Sequence, residues 1–178
     1  MGKKITLVVA PGFVGKKPLL GVAYLAGALR ARGHEVQIAD LNIEFRLYVE
    51  ESGGRLAEQE YVDGYLQKNP QLLETMCGRI AGGSRKPDLV GFSAWYLNQP
   101  MSAVLARRLK EGYDIPFIVA GGPQAAELFW HTPAIDAMSP GESEYALAAM
   151  ADALPDLRKI SAIPGVTVRL DGRDLNGG

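Results

Sequence analysis

Short apolar runs rich in β-branched residues alternate with longer helical stretches about five times along this chain. That alternation decides the fold class. Strands joined by segments of crossover length build βαβ units, hence a parallel sheet with helices on both faces. The first strand is Ile5 to Ala10, apolar almost throughout and ended by Pro11-Gly12. An apolar run of this kind marks a strand buried on both faces. Leu19 to Arg32 is too long for a strand and apolar nearly all round, which makes it a buried helix. Gly33 is its natural stop. Glu35 to Leu41 reads as the second strand, Asp88 to Ala94 as the third, Ile115 to Ala120 as the fourth and Ala134 to Met138 as the fifth. Pro100 is a good first helical residue, and Met101, Val104, Leu105 and Leu109 follow it at helical spacing. Further helices are expected over Gln124 to Trp130 and Glu142 to Leu154. Val166 to Leu170 alternates and Asp171-Gly172 turns, which gives an exposed strand or hairpin outside the parallel core. The expected fold is therefore α/β, a doubly wound Rossmann-like or flavodoxin-like parallel sheet of five strands, with helices on both faces and a C-terminal extra strand or hairpin.

The stretch 42–83 is longer than a standard crossover. Asn69-Pro70 looks like a helix start, Leu72, Leu73, Met76 and Ile80 share a helical face, and Gly82-Gly83 ends it. This excursion is read as a helical insertion that covers part of the domain. At 178 residues the whole chain suits one domain, 1–178. Its net charge of −1 gives no general pull toward nucleic acid or anionic membranes. No apolar run approaches the roughly 20 residues that span a bilayer, and the N-terminal run is too short and strand-like for a secretory signal. A cytoplasmic protein is the expectation. The lone cysteine, Cys77, excludes a disulfide framework, a cysteine-rich zinc site and a multi-cysteine iron–sulfur cluster within the chain.

In open parallel sheets ligands bind beyond the carboxyl ends of the strands. Four such ends hold Gly, Pro or small polar residues: Pro11 to Pro18, Ser93 to Gln99, Gly121-Gly122-Pro123 and Ser139-Pro140-Gly141-Glu142. Glycine lets a ligand approach the backbone, although Gly-Gly at a strand end is common in any α/β fold. The loop Gly12-Phe-Val-Gly15-Lys16-Lys17 lacks the spacing and the Ser/Thr of a phosphate loop, and the dinucleotide Gly-x-Gly-x-x-Gly is missing as well. It reads as a lysine-bearing surface loop. His34 belongs to the turn before the second strand, and neither it nor His131 has a metal-binding partner nearby. Cys77 reads as a half-buried structural thiol. Glu142 suits a helix N-terminus and Glu144 a solvated position. Trp95 and Tyr96 stand at a ligand end, where two large aromatics either cap the core or floor a flat ligand.

Several segments, in order, carry a resemblance. They are Leu20-Gly21 through Arg30-Ala-Arg-Gly33-His34-Glu35-Val36, Pro87-Asp88-Leu-Val-Gly91-Phe92-Ser93, Ile115 to Pro123, and Ile135 to Glu144 with its Gly141-Glu142-Ser143-Glu144. Together they resemble the cobalamin-binding N-terminal domain of cobalamin-dependent radical SAM enzymes of methyltransferase type. The resemblance covers nearly the whole chain apart from 42–83. It implies a cobalamin site drawn from Pro11, Gly12, Leu20, Ser93, Ala94, Trp95, Tyr96, Asn98, Gly121, Gly122, Pro123, Gly141 and Glu142. The nucleotide tail would enter between Ser93 and Gly121-Gly122, and Trp95, Tyr96 or Asn98 would pack under the corrin.

The sequence departs from that family's wider pattern in two places. Many cobalamin domains carry Asp-x-His-x-x-Gly after the first strand, with the histidine on cobalt. Here Pro11-Gly-Phe-Val-Gly15 stands there without one. The resemblance then implies base-off binding with no histidine ligand. The Cys-x-x-x-Cys-x-x-Cys motif of the radical SAM core is also absent, so the iron–sulfur cluster and S-adenosylmethionine are expected only in a parent domain in cis. The chain is expected to be a shortened form of such a protein or a stand-alone carrier, binding cofactor and not catalysing alone. Two other readings compete with this one: a flavodoxin- or receiver-like binding module, and the N-terminal half of a glycosyltransferase. Ser93 and Ala94 stand where a receiver needs an acidic residue, and the glycosyltransferase reading leaves Gly121-Gly122-Pro123 and Gly141-Glu142 without a role.

Overall fold

The computed structural model describes residues 2–12, 17–83, 85–170 and 172–177. The Phe13 to Lys16 part of the lysine-bearing loop and the turn residue Asp171 lie outside the described residues. The chain begins β1 (Lys4–Val9), α1 (Leu20–Ala31) and β2 (Glu35–Asp40). The long excursion then folds as α2 (Leu41–Glu44), α3 (Arg46–Glu51), a 3-10 turn at Arg55–Ala57, α4 (Gln59–Lys68) and α5 (Pro70–Ala81). There follow β3 (Leu89–Ser93), a 3-10 turn at Tyr96–Asn98, α6 (Gln99–Tyr113), β4 (Ile118–Gly122) and α7 (Ala125–His131). The chain ends with β5 (Ala137–Pro140), α8 (Glu144–Ala153), α9 (Leu157–Ser161), β6 (Thr167–Leu170) and β7 (Arg173–Asn176).

Among the described residues the strands form one sheet in the order β2-β1-β3-β4-β5-β6-β7. The first five run parallel, and β6 and β7 add an antiparallel hairpin. The order 2-1-3-4-5 is the flavodoxin-like doubly wound arrangement, with its switch point between β1 and β3. α1 and α8 pack on one face through Val22, Ala26, Leu29, Leu147 and Met150. α5, α6 and α7 cover the other face through Met76, Ile80, Met101, Leu105 and Phe129. The apolar face of α4 (Val62, Leu66) joins that second layer, so the segment read as an insertion thickens the side away from α1 and α8.

Several boundaries move from the sequence reading, each for a local reason. β4 starts at Ile118, three residues later than expected, because Pro116 cannot donate to the ladder. It also continues through Gly121-Gly122, which pair with Ser139 and Pro140. β5 moves in step to Ala137–Pro140. α8 begins at Glu144, so Glu142 stands outside the helix it was expected to start. Cys77, read as half-buried, is fully buried on α5. The C-terminal strand is less exposed than expected: Val168 is fully buried. The Arg169 guanidinium ties it down, donating to the carbonyls of Thr132 and Ile135 at 2.8 Å each and to that of Phe129. It also stacks on the Phe129 ring at 4.1 Å.

Candidate functional site

On the face that carries α1 and α8, side chains shrink toward the carboxyl ends of the central strands. Along β3 the sequence on that face is Leu89, Gly91, Ser93, and along β4 it is Val119, Gly121. The parallel register sets Leu7, Gly91 and Val119 side by side, and above them Ser93, Gly121 and Ser139. The result is a trough that deepens from the strand ends toward mid-sheet. α1 and α8 wall it with Gly21, Val22, Leu25, Leu147 and Met150, enclosing a slot of about 370 Å³. That volume lies within the roughly 300–1,000 Å³ usual for small-molecule sites.

Two glycines make the slot. Gly91 is buried in mid-strand, and a Cβ there would stand 3.2 Å from Leu7 Cδ2 and 3.6 Å from Val119 Cγ1. Any side chain at this position would fill the floor. Gly122 has φ +91° and lies so close to the next loop that a Cβ would come within 2.9 Å of the Ala94 carbonyl oxygen. This close approach lets the Ala94 N–H donate to the Gly121 carbonyl (2.8 Å) and the Gln124 N–H to the Ala94 carbonyl (3.1 Å), joining the two loops at the slot mouth.

Seven of the residues singled out from sequence converge on the slot: Ser93, Trp95, Gly121, Gly122, Pro123, Gly141 and Glu142. Trp95 is 40% exposed, and its indole N–H donates to Ser93 Oγ at 3.3 Å. Tyr96 is 67% exposed on the same loop and does not line the slot. Asn98 is wholly buried under that loop. Its amide accepts the Trp95 N–H at 2.8 Å and donates to the carbonyls of Ser93 (3.0 Å) and Ala10 (3.4 Å). Pro11 and Gly12 are buried, and the Gly12 N–H donates to Asn42 Oδ1 at 3.0 Å. Leu20 is exposed on the first turn of α1, one residue before the lining Gly21. Ala94 is buried in the loop joint described above.

The sequence reading missed Gly21, Gly91, Leu7, Leu147 and Met150 as site residues. Gly91 had a usable signal, since a glycine inside an apolar strand marks a close approach or a kept space. The apolar wall residues had none, because a slot-lining leucine looks like any core leucine. Both histidines stand at the opposite end of the sheet, His34 just before β2 and His131 at the C-terminal end of α7. His34 accepts the Lys3 N–H at 3.2 Å, with its Nε2 3.1 Å from Asp152. His131 lies against Glu127. No cluster of metal-binding side chains occurs among the described residues, and no described helix is long and apolar enough to cross a membrane.

A doubly wound sheet with a glycine-floored, apolar slot opening at its carboxyl edge has the form of a small-ligand-binding domain. Comparison with known proteins makes this specific. Residues 7–151 match the model of the B12 binding domain, and the chain belongs to that family. It is related to cobalamin-dependent radical SAM methyltransferases. It is 29% identical over 153 residues to the cobalamin-dependent radical SAM methyltransferase TokK of Streptomyces tokunonensis, a match spanning 82% of this chain and 22% of that enzyme. It is 30% identical over 111 residues to the 2-(S-pantetheinyl)-carbapenam-3-carboxylate methyltransferase of Streptantibioticus cattleyicolor, spanning 60% of this chain and 16% of that one. The chain thus spans about a fifth of the length of these curated relatives. Two structures of the radical S-adenosylmethionine methyltransferase TsrM from Kitasatospora setae share the fold at 19% identity. The one with tryptophan and a SAM analogue gives a TM-score of 0.62 over 98% of this chain and 30% of that one. The one with cobalamin and a [4Fe-4S] cluster gives 0.58 over 98% and 28%.

Proposed function

We propose that this chain binds cobalamin in the base-off form, without a histidine on cobalt, as a single domain serving a radical SAM methyltransferase or related radical enzyme. The observation that carries the reading is the trough along Gly91, Ser93 and Gly121, a narrow space kept open by missing side chains and walled by hydrocarbon. It suits the flat base and thin nucleotide tail of cobalamin better than a charged or metal-bound ligand. The placement of both histidines at the far end of the sheet supports a histidine-free site. The residues that would hold the cofactor are Ser93, Gly121, Gly122 and Pro123 along the tail, with Gly141 and Glu142 at the mouth. Trp95 stands at the mouth where it would meet the corrin. When bound, cobalamin supplies a cobalt centre able to carry a methyl group, and the chain's own part is to hold it and shield its tail from water.

In this reading the cysteines of an iron–sulfur cluster and the S-adenosylmethionine site would belong to a partner domain in cis; the lone cysteine of this chain, Cys77, is fully buried on the opposite face. A cytoplasmic setting goes with this reading. The test is an absorption spectrum of the purified chain incubated with hydroxocobalamin and desalted. A retained corrin with a base-off spectrum is the expected result. A retained base-on spectrum overturns the base-off assignment, and loss of all colour overturns cobalamin binding by this chain.

A further inference from the structure

Among the described residues, the polar side chains of the slot all stand at its mouth: Ser93, Ser139, Ser143, Glu142 and Glu144. Two of these are already engaged, since Ser143 Oγ donates to the Ser139 carbonyl at 2.7 Å and Ser93 Oγ accepts from the Trp95 indole. Below that level the side chains are Leu7, Val22, Leu25, Val119, Leu147 and Met150, all hydrocarbon or thioether. The strand backbone behind them is paired in the parallel ladder. The buried hydroxyls that lack a partner, on Tyr48 and Thr132, lie elsewhere. A polar atom carried to the bottom of this slot therefore meets no partner from a described side chain.

We propose that the slot selects among cobamides by their lower base, taking the less polar bases (phenols and benzimidazoles) and disfavouring purines. The inference rests on the cobalamin reading above and adds a specificity to it. Adenine brings ring nitrogens and an exocyclic amine that are hydrogen-bonded in water. Each one buried without a partner weakens binding by about tenfold or more. A cresol ring brings no ring nitrogen and a base-off dimethylbenzimidazole only one, so each leaves fewer groups unpaired than adenine does, while their methyl groups exchange water for Leu7, Leu147 and Met150. Release of the base from cobalt does not produce the same preference, because adenine leaves cobalt more readily than dimethylbenzimidazole does. That difference favours the purine in any base-off site, so a preference for benzimidazole has to come from the slot.

The experiment is equilibrium dialysis of the purified chain against four corrinoids: cobalamin, the adeninyl cobamide, the cresolyl cobamide and cobinamide, which has no base. The expected order places cresolyl cobamide level with or above cobalamin, the adeninyl form at least tenfold weaker than cobalamin, and cobinamide weak. Met150→Gln puts an amide at the foot of the slot and should narrow the gap between adeninyl cobamide and cobalamin about tenfold. Leu25→Gln, at a half-buried position, serves if Met150→Gln fails to fold by circular dichroism. Equal affinity for adeninyl cobamide and cobalamin overturns the selectivity while leaving cobalamin binding intact. Equal affinity for cobinamide and cobalamin shows that the tail does not use this slot and overturns it too. If none of the four binds, the cobalamin reading itself fails and the selectivity falls with it.

Discussion

Gly91 in β3 lies beside Leu7 in β1, and a Cβ on Gly91 would come to 3.2 Å from Leu7 Cδ2. The missing side chain is what leaves room at the bottom of the slot. Gly91→Val is expected to fill that room with two methyl groups while suiting the strand well. The substituted chain should fold, with its melting temperature within a few degrees of the parent once Leu7 has shifted. It should lose cobalamin affinity by about a hundredfold, the scale of a few kcal/mol of overlap. Dialysis against hydroxocobalamin alongside thermal melting checks this. Unchanged affinity would remove Gly91 from the site.

Trp95 and Tyr96 are neighbours on one loop, yet only Trp95 borders the slot. Trp95→Ala should alter the visible spectrum of bound cobalamin and weaken binding about tenfold, by loss of a large amphipathic ring against the corrin. Tyr96→Ala, at a site 67% exposed, should change both far less. Absorption spectra of the two loaded variants separate them. If neither variant changes spectrum or affinity, the placement of the corrin beside this loop is wrong.

The fold was legible because hydrophobic patterning is local: β1, β2 and β3 were placed within a residue or so of their observed ends. The slips came where tertiary context decides. Pro116 delayed β4, and the pairing of Gly121-Gly122 with Ser139 and Pro140 extended it past the point where glycine signals a stop. α4 went unread because Tyr61, Val62, Tyr65 and Leu66 form an apolar face among charges, and no start signal precedes it. In the site, the strand-end residues were legible through their Gly, Pro and Ser content. The roles of Asn98 and Gly12 were not. A polar or flexible residue at a strand end looks the same from sequence whether it meets a ligand or, as here, holds one loop against another.

Asn98 makes one accepting and two donating hydrogen bonds from a fully buried amide. Asn98→Ala leaves the Trp95 N–H and the carbonyls of Ser93 and Ala10 without those bonds, which should cost about 2–4 kcal/mol of stability. Asn98→Asp should be no better, because a carboxylate cannot donate to the two carbonyls. Urea unfolding of both variants measures this. A loss below about 0.5 kcal/mol for each would mean that solvent or the loop itself satisfies the groups.

Cys77 offers a pH test of the core. Burial, with a smaller contribution from the nearby Glu74 carboxylate, pushes its thiol from 9.0 up to about 12. Between these values the unfolded chain releases the thiol proton while the folded chain keeps it. The folded state then binds more protons, so stability falls as pH rises, by at most about 1.4 kcal/mol per pH unit from this one group. Below pH 9 its contribution is fully present. The buried Tyr48 hydroxyl, also raised by burial from 10.0, adds to the fall only at higher pH. From pH 9 to 10, therefore, most of the decline that these buried groups cause should belong to Cys77. Urea midpoints of the parent and Cys77→Ala measured across that interval isolate it: the variant should start less stable, by about 1 kcal/mol for the lost sulfur, and decline less steeply. Parallel declines would mean that the thiol ionises as readily in the folded chain as in the unfolded one, and would overturn the raised value that its burial between α5 and the sheet gives.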